Sequence, residues 1–231
     1  PFPKTRRPGA SESCSMIYYE KTGKGPAVVL LHGFPSDHHL WDELVPELKK
    51  KCTLLLPDFP GAGGSEALAE PLTLELMARS VEAVLVNENI EQAIICGHSM
   101  GGYTALVFAR LFPEKTKALS LIHSSAYADS EERKTNRRKA IALIGKGELE
   151  KEIFLKSMAP NLFAERFRNA HPEIIRMIIE KGKSLSGATL ISFYRAMLER
   201  EDASEVLKNA TFPVQWIIGD EDTSTPMKDA L

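Results

Sequence analysis

A chain of 231 residues with 43% apolar residues can bury a substantial core, as one large domain or two small ones. A formal net charge of -2, with the signs mixed along most of the chain, argues against a nucleic-acid partner, and no apolar run is long enough to cross a bilayer. The three cysteines, Cys14, Cys52 and Cys96, lack C-x-x-C spacing and read as small core residues in a reduced compartment.

The opening residues carry Arg6 and Arg7 but no apolar segment behind them, so they do not read as a secretory signal, and a cytoplasmic location is the expectation. Tyr18 and Tyr19 mark a first strand over 15–20, followed by the turn Gly23-Lys24-Gly25-Pro26 and a strand over 27–31. The pair opens the fold, and its second member is apolar throughout, as a strand covered on both faces must be. It ends in His32-Gly33-Phe34-Pro35. Ser36 or Asp37 can cap the next segment, where Leu40, Leu44, Val45 and Leu48 recur at near-helical spacing. Pro46 cannot sit inside a helix, so a short turn ends before it and a helix begins there.

A strand over 52–56 runs into the glycine-rich loop Asp58-Phe59-Pro60-Gly61-Ala62-Gly63-Gly64-Ser65. Thr73 caps a helix with Leu74, Met77, Val81, Val84 and Leu85 on one face. The apolar run Ile94-Ile95-Cys96 stops at Gly97-His98-Ser99-Met100-Gly101-Gly102, and a helix continues to Leu111 until Pro113. A strand over 118–122 comes next. Residues 124–209 then carry helical patterns only, with Ile141, Ile144, Ile153, Phe154, Met158, Ile174, Ile175, Ile178, Leu190, Phe193, Tyr194 and Met197 marking four or five amphipathic helices. Gly145, Gly147, Pro160, Pro172 and Gly187 read as the breaks. A strand over 214–218 closes the pattern. Strands alternating with helices around one helical insertion give a mostly parallel, helix-flanked sheet of class α/β: a core of 1–123 and 210–231, with 124–209 as a cap. Within the insertion, Arg133, Lys134, Arg137, Arg138 and Lys139 read as a solvated helix face rather than an anion or membrane patch.

G-x-S-x-G between a strand and a helix has a mechanical reading. A serine on so sharp a turn needs Gly97 and Gly101 where a Cβ would collide, and its hydroxyl then stands clear of the sheet. The helix starting at Met100 aims free N–H groups and its positive end at the same spot, which favours an oxyanion. The bland alternative is a glycine-rich turn with an incidental serine.

Several motifs coincide, and along nearly its whole length the chain resembles the capped α/β-hydrolase superfamily, whose serine members include esterases, enol-lactonases and cofactor-free perhydrolases. Leu31-His32-Gly33-Phe34-Pro35 is similar to the oxyanion loop, 58–65 to the second glycine loop and Gly97–Gly102 to the nucleophile elbow. Gly219-Asp220-Glu221-Asp222-Thr223-Ser224-Thr225-Pro226 is similar to the loop that carries the acid. The resemblance implies Ser99 as nucleophile, the backbone N–H groups of Phe34 and Met100 as oxyanion donors, and Asp222, in preference to Asp220, as the acid. His32, Gly33, Gly97, His98 and Gly101 are supporting motif positions, His32 bracing the oxyanion loop and His98 turning away from the serine hydroxyl.

The departure is histidine. The family's base lies downstream of the acid, and none of the six histidines follows Asp222. The expected arrangement is a longer protein whose final strand, helix and catalytic histidine lie beyond Leu231. Asp222 then faces a gap, the strand over 214–218 is an exposed edge, and the chain as given is inactive. His123 is the substitute base within the chain; His38 and His39 precede a helix without further metal ligands in reach, and His171 lies on the cap surface. The implied function is hydrolysis of a small-molecule carboxylic ester or lactone through an acyl-enzyme, with no cofactor, no metal, no nucleic acid and no membrane. C–C bond hydrolysis and perhydrolysis use the same motifs, and a non-catalytic ligand-binding member of the fold is the rival of another class.

Overall fold

In a computed structural model, residues 17–222 and 225–226 are described. The strands β1 (Tyr19–Gly23), β2 (Ala27–Leu31), β3 (Thr53–Pro57), β4 (Ala93–His98), β5 (Thr116–Ile122) and β6 (Val214–Ile217) form one sheet in the order β1-β3-β2-β4-β5-β6. Only β1 runs antiparallel to its neighbour, β3; the other pairs are parallel. The apolar runs serve two faces at once, because successive side chains point to opposite sides. Val29, Leu31, Leu55 and Ile95 join one core, while Val28, Leu30, Leu54 and Leu56 pack with Trp41 on the other face.

The first of these faces is covered by α2 (Leu74–Asn87), capped by Thr73 Oγ1, which accepts from the Leu76 N–H at 3.1 Å, and by α3 (Met100–Leu111). The other face carries a 3-10 turn (His38–Trp41) and α1 (Val45–Leu48), which begins around Pro46. After β2 the chain turns outward to β3 and then returns past β2 to β4. The loops leaving the C-terminal ends of β2 and β4 therefore diverge, which opens a crevice at a topological switch point. Phe34 and Ser99 stand on those two loops.

Between β5 and β6 the described elements are helical: α4 (Glu131–Ile144), α5 (Glu148–Met158), α6 (Glu165–Ala170), α7 (Pro172–Ser184), α8 (Gly187–Leu198) and α9 (Ser204–Lys208). α4 packs on α5 and α8, and α7 on α5 and α6. None of the described helices is long and apolar enough to cross a membrane.

Several expectations need correction. The first strand runs Tyr19–Gly23, up to the first residue of the anticipated turn rather than over 15–20, because its hydrogen-bond partner is β3 over the whole of Thr53–Pro57; β1 and β2 are not neighbours. The insertion holds six α-helices rather than four or five, since α6 and α9, of 6 and 5 residues, are too short to show a periodicity. Pro172 and Gly187 open α7 and α8 rather than simply separating helices. Ile153, one of the apolar residues marking the amphipathic helices, is 51% exposed. Cys52 and Cys96 are free and half-buried, and Cys14 lies outside the described residues.

Candidate active site

Ser99 has φ 50° and ψ -112°, a strained conformation for a residue with a side chain. The surroundings over-determine it. Its N–H donates to Ile122 O at 2.9 Å, and its carbonyl accepts from the Gly102 and Tyr103 N–H groups at 2.8 and 3.2 Å and from Ser124 Oγ at 2.9 Å. A Cβ on Gly97 would fall into the Gly101 carbonyl, and one on Gly101 into the Leu31 carbonyl, so only glycine permits strand and helix to approach this closely. Ser99 is thereby held at the N-terminus of α3, whose first N–H groups have no partner within the helix.

His123 stands at the end of the adjacent strand, also with positive φ, 47°. Its N–H donates to Ile217 O at 2.8 Å, and its Nδ1 lies 2.6 Å from Asp222 Oδ2. Asp222 is set in a turn: its N–H donates to Gly219 O at 3.2 Å, and its Oδ1 accepts from the Thr225 N–H at 2.8 Å. Because the carboxylate can only accept, Nδ1 carries the proton and the Nε2 lone pair is left for other work. The expectation that Asp222 lacks an imidazole partner is thus overturned, since β5 ends one residue before His123 and beside β6, whose following loop holds Asp222. Asp220 is exposed.

A cavity of about 430 Å³ is bordered by Gly33, Phe34, His98, Ser99, His123 and Asp222. A second, of about 930 Å³, is bordered by Phe34, Ser99, Tyr103, Arg137, Tyr194 and Met197 among others. Ser99 and Phe34 belong to both. The Phe34 N–H is not engaged in a hydrogen bond among the described residues. The Phe34 ring packs edge-on against Tyr194, Phe154 and Phe193 at 4.6, 6.3 and 6.5 Å between centroids.

Behind this loop, buried His32 places Nδ1 3.0 Å from Gly33 O and accepts the Phe59 N–H on Nε2 at 3.0 Å, which ties the β2 loop to the β3 loop. Burial lowers its pKa and keeps it neutral. His98 is pushed down to about 4, first by burial and then by His123, and its Nδ1 finds no hydrogen-bond partner among the described residues.

Sequence reasoning missed the part played by Asp58. Its buried carboxylate accepts from the His38 N–H at 2.8 Å and the Gly64 N–H at 2.8 Å and pairs with His38 Nδ1, so it fastens the two loops beside the crevice. The glycine-rich run was the signal that could have found it: at Gly63, φ +51°, a Cβ would strike that carboxylate. Asp37, His38 and His39 bring potential metal-ligating atoms within 4.8 Å of one another. Asp37 is bonded to Lys181 at 2.7 Å and His38 to Asp58, so both are already committed. His171 is exposed beside Glu173. The basic run on α4 does not lie wholly in solvent, because Arg137 turns inward to Asp129.

The fold is shared with known proteins. A family model for the alpha/beta hydrolase fold matches residues 26–228. A solved structure of a thermophilic esterase from Thermogutta terrifontis, in a malate-bound form, superposes with TM-score 0.86 at 29% identity, covering 92% of this chain and 78% of that one. The 3-oxoadipate enol-lactonase 1 of Acinetobacter baylyi is 26% identical over 204 residues, 88% of this chain and 74% of that protein. The pimeloyl-[acyl-carrier protein] methyl ester esterase of Klebsiella pneumoniae is 36% identical over 110 residues, 47% of this chain and 41% of that protein. In three mycobacterial relatives, 32% identical over 100 residues, the chain spans 29% of the length. With the sheet order, the strained elbow and a match over most of its length in agreement, this chain belongs to the α/β-hydrolase family.

Proposed function

We propose that the protein hydrolyses small carboxylic esters or lactones, with Ser99 as nucleophile. The observation that carries this reading is one cavity bordered both by the strained Ser99 and by the His123–Asp222 pair. Ser99 Oγ attacks the carbonyl carbon as its proton passes to His123 Nε2, and Asp222 stabilises the imidazolium through Nδ1–H. The oxyanion is held by the Phe34 and Met100 N–H groups. Collapse transfers the proton to the leaving alkoxide and leaves an acyl-serine, which water, deprotonated by the same imidazole, then hydrolyses. Enol-lactonase and esterase relatives support an ester or lactone over a C–C bond or a peroxide. The helices over 124–209 act as the cap, since Phe154 and Tyr194 bear on Phe34 and Lys181 on Asp37.

A second reading keeps Ser99 and Asp222 but takes the base from another histidine; the 2.6 Å bond favours His123. Fluorophosphonate labelling and p-nitrophenyl butyrate hydrolysis test both readings. Ser99→Ala is expected to abolish both signals with the fold intact, and undiminished labelling of that variant overturns the serine assignment. His123→Ala is expected to lower turnover by about 10²–10⁴-fold. A variant as active as the parent chain assigns the base to another histidine.

A further inference from the structure

The larger cavity beside Ser99 has a charged wall for which hydrolysis of a neutral ester has no use. Asp129, whose side chain is fully buried, accepts from Arg137 Nε at 2.5 Å, from Arg137 Nη2 at 3.5 Å and from Arg200 Nη2 at 2.8 Å. Two guanidinium groups therefore share one carboxylate, and the cluster carries a surplus positive charge, since guanidinium does not deprotonate in proteins. Burial opposes the charge on Asp129, but the two arginines outweigh it and hold its carboxyl below the usual range, so the aspartate is ionised.

The two cations are placed differently. Arg200 is 3% exposed, lies 3.8 Å over the Tyr103 ring and donates from Nη1 to Ser125 O at 3.3 Å, while its buried Nε has no hydrogen-bond partner among the described residues. Arg137 borders the cavity together with Ser99. Its Nη1 faces Met197 Sδ at 3.3 Å, a weak acceptor that a carboxylate oxygen would readily replace, and its guanidinium lies 5.5 Å from the Tyr194 ring. A surplus cation in a partly buried wall is costly until an anion joins it. Exposed Glu132 and half-buried Arg133, of opposite sign, also border the cavity, and Phe34, Phe154 and Met158 give it apolar surface.

We propose that Arg137, charged by its place in the Arg137–Asp129–Arg200 cluster, makes this cavity a carboxylate subsite, so that the ester or lactone taken by the protein bears a free carboxylate on a short apolar spacer. This rests on the reading of the Ser99 cavity as the substrate site, and it names the substrate class of that site. Arg137 is a specificity residue here, and Asp129 and Arg200 position it.

The test is a binding comparison that needs no turnover. Monomethyl glutarate and methyl pentanoate, which differ by a carboxylate in place of a methyl group, are titrated into the Ser99→Ala protein by calorimetry at low salt. The charged ester is expected to bind at least about 10-fold more tightly. Arg137→Met should bring the ratio of the two affinities close to one, and Arg137→Lys should leave an intermediate ratio, a point charge replacing a fork. Asp129→Asn removes the opposing charge and should raise the ratio, a change of sign that general misfolding would not give. Equal affinities, no measurable binding of the charged ester, or a ratio unmoved by Arg137→Met overturns the proposal. Fluorophosphonate labelling of Ser99 in the parent chain reports on the hydrolase reading separately, so either can fail while the other stands.

Discussion

His98 adjoins Ser99, and its environment makes it expensive to charge. Its Nδ1 has no hydrogen-bond partner among the described residues, and its ring centroid lies 6.2 Å from that of His123. With the pKa pushed down to about 4 from 6.5, the unfolded chain takes up a proton over a range where the folded chain does not. Stability is therefore complete above pH 6.5 and is lost as pH falls from there towards 4, by an amount on the order of 3 kcal/mol. His32, lowered by burial, acts in the same direction. Asp129 acts in a different window, its contribution being lost only below the ordinary carboxylate range. Urea unfolding of the parent chain and of His98→Gln between pH 8 and pH 4 should show the variant losing less stability on acidification. Parallel curves would mean that His98 is not the group responsible.

At the scale of elements, legibility followed physical simplicity. The strands β2, β3 and β4 are unbroken apolar runs because both faces are covered, and such runs stand out in any sequence. The helix α2 shows both its period and its cap, so Thr73→Ala is expected to cost about 1 kcal/mol in chemical denaturation, with α3 unaffected. No change in the midpoint would show that the Leu76 N–H is equally well served by water. Where the sequence misled, long-range pairing was responsible. β1 takes its bounds from β3, thirty or more residues away, and Ile153 keeps a helical apolar spacing although it faces outward. The basic run on α4 looked solvated because nothing local marks Asp129 and Arg200 as partners for Arg137, and Arg200 lies 71 residues from Asp129.

In the whole molecule, the site exists because the sheet order brings separate loops together. The elbow was legible since Gly97, Ser99 and Gly101 are local. The bond between His123 and Asp222 spans 99 residues, with all the inserted helices between them, and periodicity says nothing about which loop ends meet. The same order sets a gradient of stability. β2 and β4 lie inside the sheet, with Val29, Leu31, Ala93 and Ile95 at most 1% exposed. β6 borders the sheet among the described residues, and its Val214 and Ile217 are 39% and 45% exposed. Amides of β2 and β4 should therefore exchange with deuterium only through global unfolding, while those of β6 exchange through a cheaper local opening. That opening has a consequence for the site, because Ile217 O accepts the His123 N–H and β6 leads into the Asp222 loop. Exchange in β6 and at His123 should accelerate together in mild urea, ahead of the interior strands. Uniform protection across the sheet would show that β6 belongs to the same cooperative unit as β4, and that the His123–Asp222 pair opens only when the whole fold does.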